Sequence, residues 1–485
     1  MKPLRRWCAL MLIALAAGPS LSWAEPPGQK SGAKTWLLDR SLTLTPAAAP
    51  VPALKYRLLP LYSELKEGNA VPIYLRLIFE RNDAWKKMLV DKPTKWNALP
   101  LNQIPISEAQ HFLKELRTFL QQIELGARRK HADWNYTLDQ GDVISILLPD
   151  AQTMRSYAPA LVLKARVELA QGHFSAAAHT IETGLAFSRH AGSGPFLINV
   201  LVGIAIARQF ENTILDFIEA PNSPNLYWSL SVLPQPLLSI RHGLDFEQKT
   251  FVMEFPVLQH LDLSRSPEQW AADLKRIRKE VKGLIEGPEN GPRIKFPANT
   301  GPDDPAERSP DFPAAKRYLT EHLGIPAAKV ESMAPAHVLL LWILDEYRAY
   351  RDSFFKGAYL PYPESRRVVA EAIRQLEAAP NTEAQALAHT FLPAIGKVGQ
   401  SENRLVREFA ALRVLEAIRL YAAAHDGQLP EKLSDIQEVP VPADPGTDKP
   451  FEYHKDGPTA VLISRIPGEP QNITGLRYRL SIRQK

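Results

Sequence analysis

From Ile144 to Ile218 the chain hardly leaves a helical pattern. Apolar side chains recur there at intervals of three and four, the spacing that lines up one face of an α-helix. So much amphipathic helix must bury its stripes against partner helices, which makes the fold class mainly α. Within it, "LINVLVGIAIARQFENTILDFI" is apolar around most of its circumference and reads as a buried central helix. Gly203, Ala205 and Ala207 leave room there for a close neighbour.

Just upstream, "LKARVELAQGHFSAAAHTIETGLAF" reads as two helices around Gly172. Ala165 and Ala177 are small where the pair closes, Phe174 fills the space between, and Ile181 and Leu185 continue the inner face. This spacing resembles a tetratricopeptide-type unit, although no second copy recurs at a period near 34 residues. The expected body is therefore helical hairpins, TPR-like in form, over residues 54–400.

The remaining segments follow the same logic. "ISEAQHFLKELRTFLQQIELGARR" predicts one helix, with Ser107 as its cap and Gly126 as its end. "SPEQWAADLKRIRKEVKGLIEG" predicts an amphipathic helix capped by Ser266. Its Lys275, Arg276, Lys279 and Lys282 form a solvated face interrupted by Glu280 and Glu286. Seven prolines and three glycines between Gly287 and Pro313 predict a long irregular loop. Residues 401–485 change character: a helix to about Ala424, a turn at Asp426–Gly427, a hairpin turning at Asp456–Gly457, and the alternating strand "LRYRLSIR". This end is expected to be a small α+β module, a helix on an antiparallel sheet.

The N-terminus predicts the compartment. "MKPLRRW" is positive, "CALMLIALAAG" is apolar but short for a span, and "PSLSWA" ends in small residues. Residues 1–24 read as a secretory signal peptide cleaved between Ala24 and Glu25, with an uncleaved anchor as the alternative. Residues 25–53 read as a flexible, Pro/Ala-rich lead-in. After signal removal no integral membrane span is expected. The one cysteine, Cys8, lies in the leader, so no disulfide or thiolate chemistry is expected in the mature chain. Without the three leader cations, 55 Lys+Arg face 53 Asp+Glu, a formal +2 that excludes a nucleic-acid footprint.

Signatures that would name a chemistry are missing: no HExxH, GxSxG, GxGxxG or GxxxxGK[ST] occurs. No catalytic residue and no cofactor is therefore assigned. Glu108 and His111 share a helix face but make only two ligands, so a surface hydrogen bond is expected between them. His173, His179 and His190 are not spaced to share one face. Asp345, Glu346 and Asp352 lie near Arg348 and Arg351, which predicts ion pairs rather than a raised pKa. Asp133, Asp139 and Asp142 lack the spacing of a calcium loop.

The ending "ALRVLEAIRLYAAAHDGQLPEKLSDIQEVPVPADPGTDKPFEY" carries Tyr421, Gly427, Pro430, Asp444-Pro445, Pro450-Phe451 and Tyr453 in the pattern A-x-x-x-Y…G-x-x-P…D-P…P-F-x-Y. It resembles the tail of the major pseudopilins of type II secretion. That resemblance nominates Asp444 and Asp448 as metal candidates, against a plain turn-capping role. Segments such as "ALKYRLLP", "DWNYTL", "PNLYWSLSVLPQPL" and "AYLPYPES", across residues 53–365, resemble large exported planctomycete-type proteins. This second likeness implies fold and location and brings no chemistry. The expected function is a non-catalytic scaffold or interaction protein of the periplasm or envelope, with an envelope protein as partner. Two alternatives stay open. One is an envelope-polymer hydrolase with its site under the 287–313 loop. The other is a small-molecule binder between hairpins, walled by Tyr227 and Trp228.

Overall fold

The structure, a computed structural model, describes residues 35–79, 83–136, 143–254, 256–261, 264–285 and 299–483. Residues 1–24 with the cleavage pair Ala24 and Glu25, Asp139, Asp142, and the part of the proline-rich stretch up to residue 298 lie outside the described residues. The chain is mainly helical, with a small sheet built largely from its C-terminal end. Among the described residues no helix is long and apolar enough to cross a membrane.

The chain divides into two compact units. A middle unit holds Tyr136–Leu147 and Arg241–Gly399. A terminal unit holds the described residues up to Asn135, Leu148–Ile240, and Gln400–Lys485. The expected body of residues 54–400 is thus not one unit. Its earlier part folds with the C-terminal module, and helix Leu197–Glu219 reaches the Gln400–Ala424 part of helix Glu383–Ala424 through the ion pair of Arg208 with buried Glu408.

In the terminal unit the closest helix pair is Phe174–Ala191 with Leu197–Glu219. Glycine permits the approach. A Cβ on Gly203 would stand 2.7 Å from the Ser188 carbonyl oxygen, and one on Gly184 would stand 2.0 Å from Phe210 Cζ. Helix Val143–Ala170 meets Phe174–Ala191 across polar contacts: Lys164 Nζ donates to Thr180 Oγ1 at 2.5 Å, and Thr180 Oγ1 donates to Glu168 Oε2 at 2.7 Å. Gly172 makes the turn between them at φ +72°, and Ala165, Ala177, Ile181 and Leu185 are all buried.

The segment expected as one helix from Ile106 is two, Ile106–Glu115 and Arg117–Ala127, broken at Leu116 with φ −88° and ψ 4°. Pro105 takes the cap position and Ser107 sits inside the first turn. Proline suits that edge because it has no N–H to leave unpaired. Ser266 does cap its helix, exchanging hydrogen bonds with Gln269.

The main sheet runs in the order Leu38–Leu44, Leu476–Ile482, Thr459–Ser464, Glu452–Asp456. The last three are the expected antiparallel strands, turning at Gly457 with φ +54°. The first is a correction: part of the lead-in expected to be flexible pairs parallel with Leu476–Ile482, with Leu38 opposite Leu476 and Leu44 opposite Ile482. Leu42 and Leu44 bury with Leu476, Tyr478 and Leu480, and that shared apolar face drives the pairing. The exposed edge of this strand is tied down by helix Leu197–Glu219: Thr43 N donates to Glu219 Oε1 at 3.1 Å, and Arg40 Nη2 donates to Asn212 Oδ1 at 2.9 Å.

Candidate functional site

Tyr227 and Trp228, proposed as groove walls, part company. Tyr227 is a core residue: its hydroxyl donates to the Pro440 carbonyl and Arg413 lies 5.5 Å above its ring. Trp228 is 37 % exposed and meets Tyr227 edge-on at 5.2 Å. The adjoining cavity, lined by Leu233, Pro236, Leu405, Phe409 and Arg413 among others, has a volume of about 20 Å³. That is room for one water molecule and not for an organic ligand.

Asp444 is buried and committed. Arg407 Nε stands 3.4 Å from Oδ1, the Gly446 N–H donates to Oδ1 at 2.8 Å, and Ser464 Oγ donates to Oδ2. A guanidinium in that position takes the place a cation would need, so the aspartate is a turn cap and strut. Asp448 is exposed, in the left-handed region at φ +57°, with its N–H on the Asp444 carbonyl. The two do not converge on a metal. His111 pairs with Glu115 at 3.4 Å, one turn on, rather than with Glu108. His179 joins Glu182 and Glu124 beside Arg128, and its hydrogen bonds to the two glutamates, Glu182 foremost, hold its pKa above the ordinary value against burial and the Arg128 charge. His190 accepts or donates at 2.9 Å with the Tyr74 hydroxyl, and burial pushes it down to about 4.

A cluster of ionisable groups in the middle unit brings Asp345 and Glu346 together with partners distant in sequence. Helix Pro335–Phe355 presents Asp345, Glu346 and Tyr350 on neighbouring turns. The Tyr350 hydroxyl donates to Glu346 Oε1 at 3.2 Å, and Tyr318, from helix Phe312–Glu321, donates to Asp345 Oδ2 at 2.9 Å. Asp311 caps the start of helix Glu383–Ala424 from outside, its Oδ2 accepting from Glu383 N at 3.0 Å. Arg278, from helix Pro267–Ile285, grips the Glu383 carboxylate through Nε at 2.8 Å and Nη2 at 2.5 Å. Asp311 and Glu383 thus share one guanidinium, Arg278 donates to Glu383, and Glu346 lies close enough to feel the Asp311 charge.

Glu346 bears the consequence. Burial raises it to about 7; hydrogen bonding to Tyr350 and a weaker one to Thr382 lower it, and the nearby Asp311 charge raises it. Its Oε2 is buried with no partner at close hydrogen-bond distance. This corrects the expected ion pairing for Glu346, while Asp352 does pair with Arg351 at 2.7 Å. Arg348 points to solvent, and Arg351 turns to Asp352 and to the Gln248 carbonyl. A half-buried carboxyl tuned near neutrality can give and take a proton, which is what general acid–base chemistry asks of a side chain. The segment Thr300–Asp311, the described end of the proline-rich stretch, supplies Asp311 and Ser309 to this cluster, and the Asp304 carbonyl accepts from Arg278 at 3.1 Å. It carries a short helical turn at Ala306–Arg308, and its last residues lead into helix Phe312–Glu321, so the expected irregular loop ends earlier than Pro313.

A second cluster sits in the terminal unit. Glu408 is buried between Arg208, at 3.1 and 3.3 Å, and Arg404, at 2.8 Å. Glu211 lies beside them, 2 % exposed, its Oε1 without a donor. Burial raises Glu211 to about 8, with the Glu408 charge adding to the rise; the flanking guanidinia hold Glu408 low. Further along the same helix Glu416 pairs with Arg419 at 3.0 Å and accepts from Asn225 at 2.7 Å and from the Leu226 N–H at 3.0 Å.

No family model, curated protein or solved structure matches the chain.

Proposed function

We propose that the protein is a non-catalytic scaffold or interaction protein of the periplasm or cell envelope, exported by its N-terminal signal and recognising an envelope protein through tetratricopeptide-like helical hairpins. The observation that carries this reading is a rigidly mounted apolar surface. Trp228 and Val232 are 37 % and 51 % exposed. The other side of the same turn is fixed by Tyr227 on Pro440, Ser229 on the Tyr56 carbonyl at 2.8 Å, and buried Leu230. An exposed tryptophan held by a packed base loses little entropy on binding, which is why such residues dominate interface energies. The likeness to exported planctomycete-type proteins supports the location. The test is capture of an envelope protein by the immobilised mature chain, compared with a Trp228→Ala, Val232→Ser variant whose circular dichroism is unchanged. Binding at least about tenfold weaker in the variant is expected; equal capture by both chains refutes the reading.

A second reading, an envelope-polymer hydrolase, is favoured by one observation: Glu346, tuned near neutrality, lies among Asp311, Asp345 and two tyrosines beside the end of the proline-rich stretch. Release of soluble fragments from envelope polymer, abolished by Glu346→Gln, would establish it. The small-molecule reading has no comparable support, because Tyr227 is core and its neighbouring cavity is water-sized.

A further inference from the structure

Buried polar groups in folded proteins nearly always find a partner, and an exception calls for a physical reason. Two exceptions meet at one joint of the terminal unit. Glu211 Oε1 and the Tyr478 hydroxyl are both buried, and neither has a hydrogen-bond partner. Tyr478 lies on strand Leu476–Ile482 directly opposite Arg40 of the edge strand Leu38–Leu44. Arg40 reaches to Asn212, the residue after Glu211 on helix Leu197–Glu219. Helix, central strand and edge strand therefore meet around a single carboxyl.

The charges at this joint are already allotted. Arg208 and Arg404 both donate to Glu408, and Arg40 donates to Asn212. The groups that act on Glu211 are Arg208 from its own helix, Glu408 and Arg404 from helix Glu383–Ala424, and Arg40 from the edge strand; Tyr478 feels its charge from the central strand. No donor among the described residues serves Glu211 Oε1. A carboxylate shut away from water with an oxygen unserved is costly, and the neutral acid avoids most of that cost. We propose that Glu211 is a proton switch at the joint between helix Leu197–Glu219 and the C-terminal sheet. Protonated, it lets the joint close dry around Glu408. Ionised, it draws in water and competes with Asn212 for Arg40, so the edge strand Leu38–Leu44 loses a tie to the helix.

Hydrogen exchange on the full chain tests this. Peptides covering Leu38–Leu44 and Leu476–Ile482 are followed between about pH 6.5 and about pH 9, with rates corrected for intrinsic exchange. Protection in the wild type is expected to fall by on the order of tenfold across this interval. In Glu211→Gln, which keeps the neutral shape, it stays flat. Protection that is independent of pH in the wild type, or an equal fall in the variant, overturns the proposal. If the variant does not fold, carboxyl-carbon NMR of the wild type decides alone. A Glu211 midpoint near about 8 supports the switch, and a midpoint in the ordinary carboxylate range sinks it.

Discussion

Replacing Glu346 with glutamine should stabilise the middle unit, and only at higher pH. Its carboxyl is raised in the fold to about 7 from an ordinary 4.5, mainly by burial. Between those values the folded chain holds a proton that the unfolded chain releases, so stability falls as pH rises through that window. Below about 4.5 both states are protonated and the carboxyl costs nothing. Above about 7 the full penalty applies, roughly 3 kcal/mol if every part of the shift counts. Glu346 is only partly buried, so solvent screening trims this to about 2 kcal/mol. Glutamine keeps the size and the Tyr350 contact without the ionisation. Urea unfolding of wild type and Glu346→Gln at about pH 5 and about pH 8 should therefore give a gain of about 2 kcal/mol at the higher pH and under about 1 at the lower. A gain of the same size at both values would mean that shape rather than charge is responsible. A loss at pH 8 would mean that the ionised carboxylate has a cation partner, and the one-guanidinium account of the cluster would be wrong.

Three further substitutions probe the terminal unit. Gly184→Ala places a methyl 2.0 Å from Phe210 Cζ in a closed helix pair, so it should cost about 3 kcal/mol in urea unfolding. Gly172→Ala meets nothing within 4 Å and should cost only the backbone strain of its φ +72°, about 1 kcal/mol. Arg407→Met leaves Asp444 buried without its cation and should cost about 3–5 kcal/mol, while adding Asp444→Asn should recover a good part of the loss in a double-mutant cycle.

How much of this was legible in the sequence depended on how far away the partner lay. Helix Leu197–Glu219 announced itself because a helix-period apolar pattern is complete within the element. The Gly203 approach followed from the same run, since a small residue on a buried face needs only a neighbour. Strand Leu38–Leu44 does alternate, with Leu38, Leu42 and Leu44 at even spacing, but its partner strand lies about 438 residues later and the Pro/Ala stretch after it reads as linker. Helix Glu383–Ala424 hid its role for a different reason. Glu408, Glu416 and Arg419 look like the solvated face of an amphipathic helix, and all three are buried. Their partners come from Arg208, Asn225 and Ser223, about 190 or more residues away. Glu346 misled by proximity: Arg348 and Arg351 are near in sequence, yet helix geometry turns both to other company.

The same bookkeeping of donors separates the buried carboxyls that brace the fold from those that can titrate within it. Asp444 and Glu416 are as deeply buried as Glu211. Asp444 has a guanidinium, a hydroxyl and an amide N–H on its two oxygens, and Glu416 has Arg419, Asn225 and the Leu226 N–H. Those donors hold each carboxylate in place and offset part of its burial, though burial still raises Glu416, and removing one partner exposes the full desolvation cost. Glu211 and Glu346 each keep an oxygen without a close hydrogen-bond partner, and two guanidinia that act on Glu211, Arg208 and Arg404, are bound to Glu408. For them the neutral acid is the form that fits. Burial alone therefore does not decide which acids respond to pH in this protein. The supply of donors counts as well, and two carboxyls that each keep an oxygen without a hydrogen-bond partner lie on Leu197–Glu219 in one unit and Pro335–Phe355 in the other, each where segments distant in sequence are tied together.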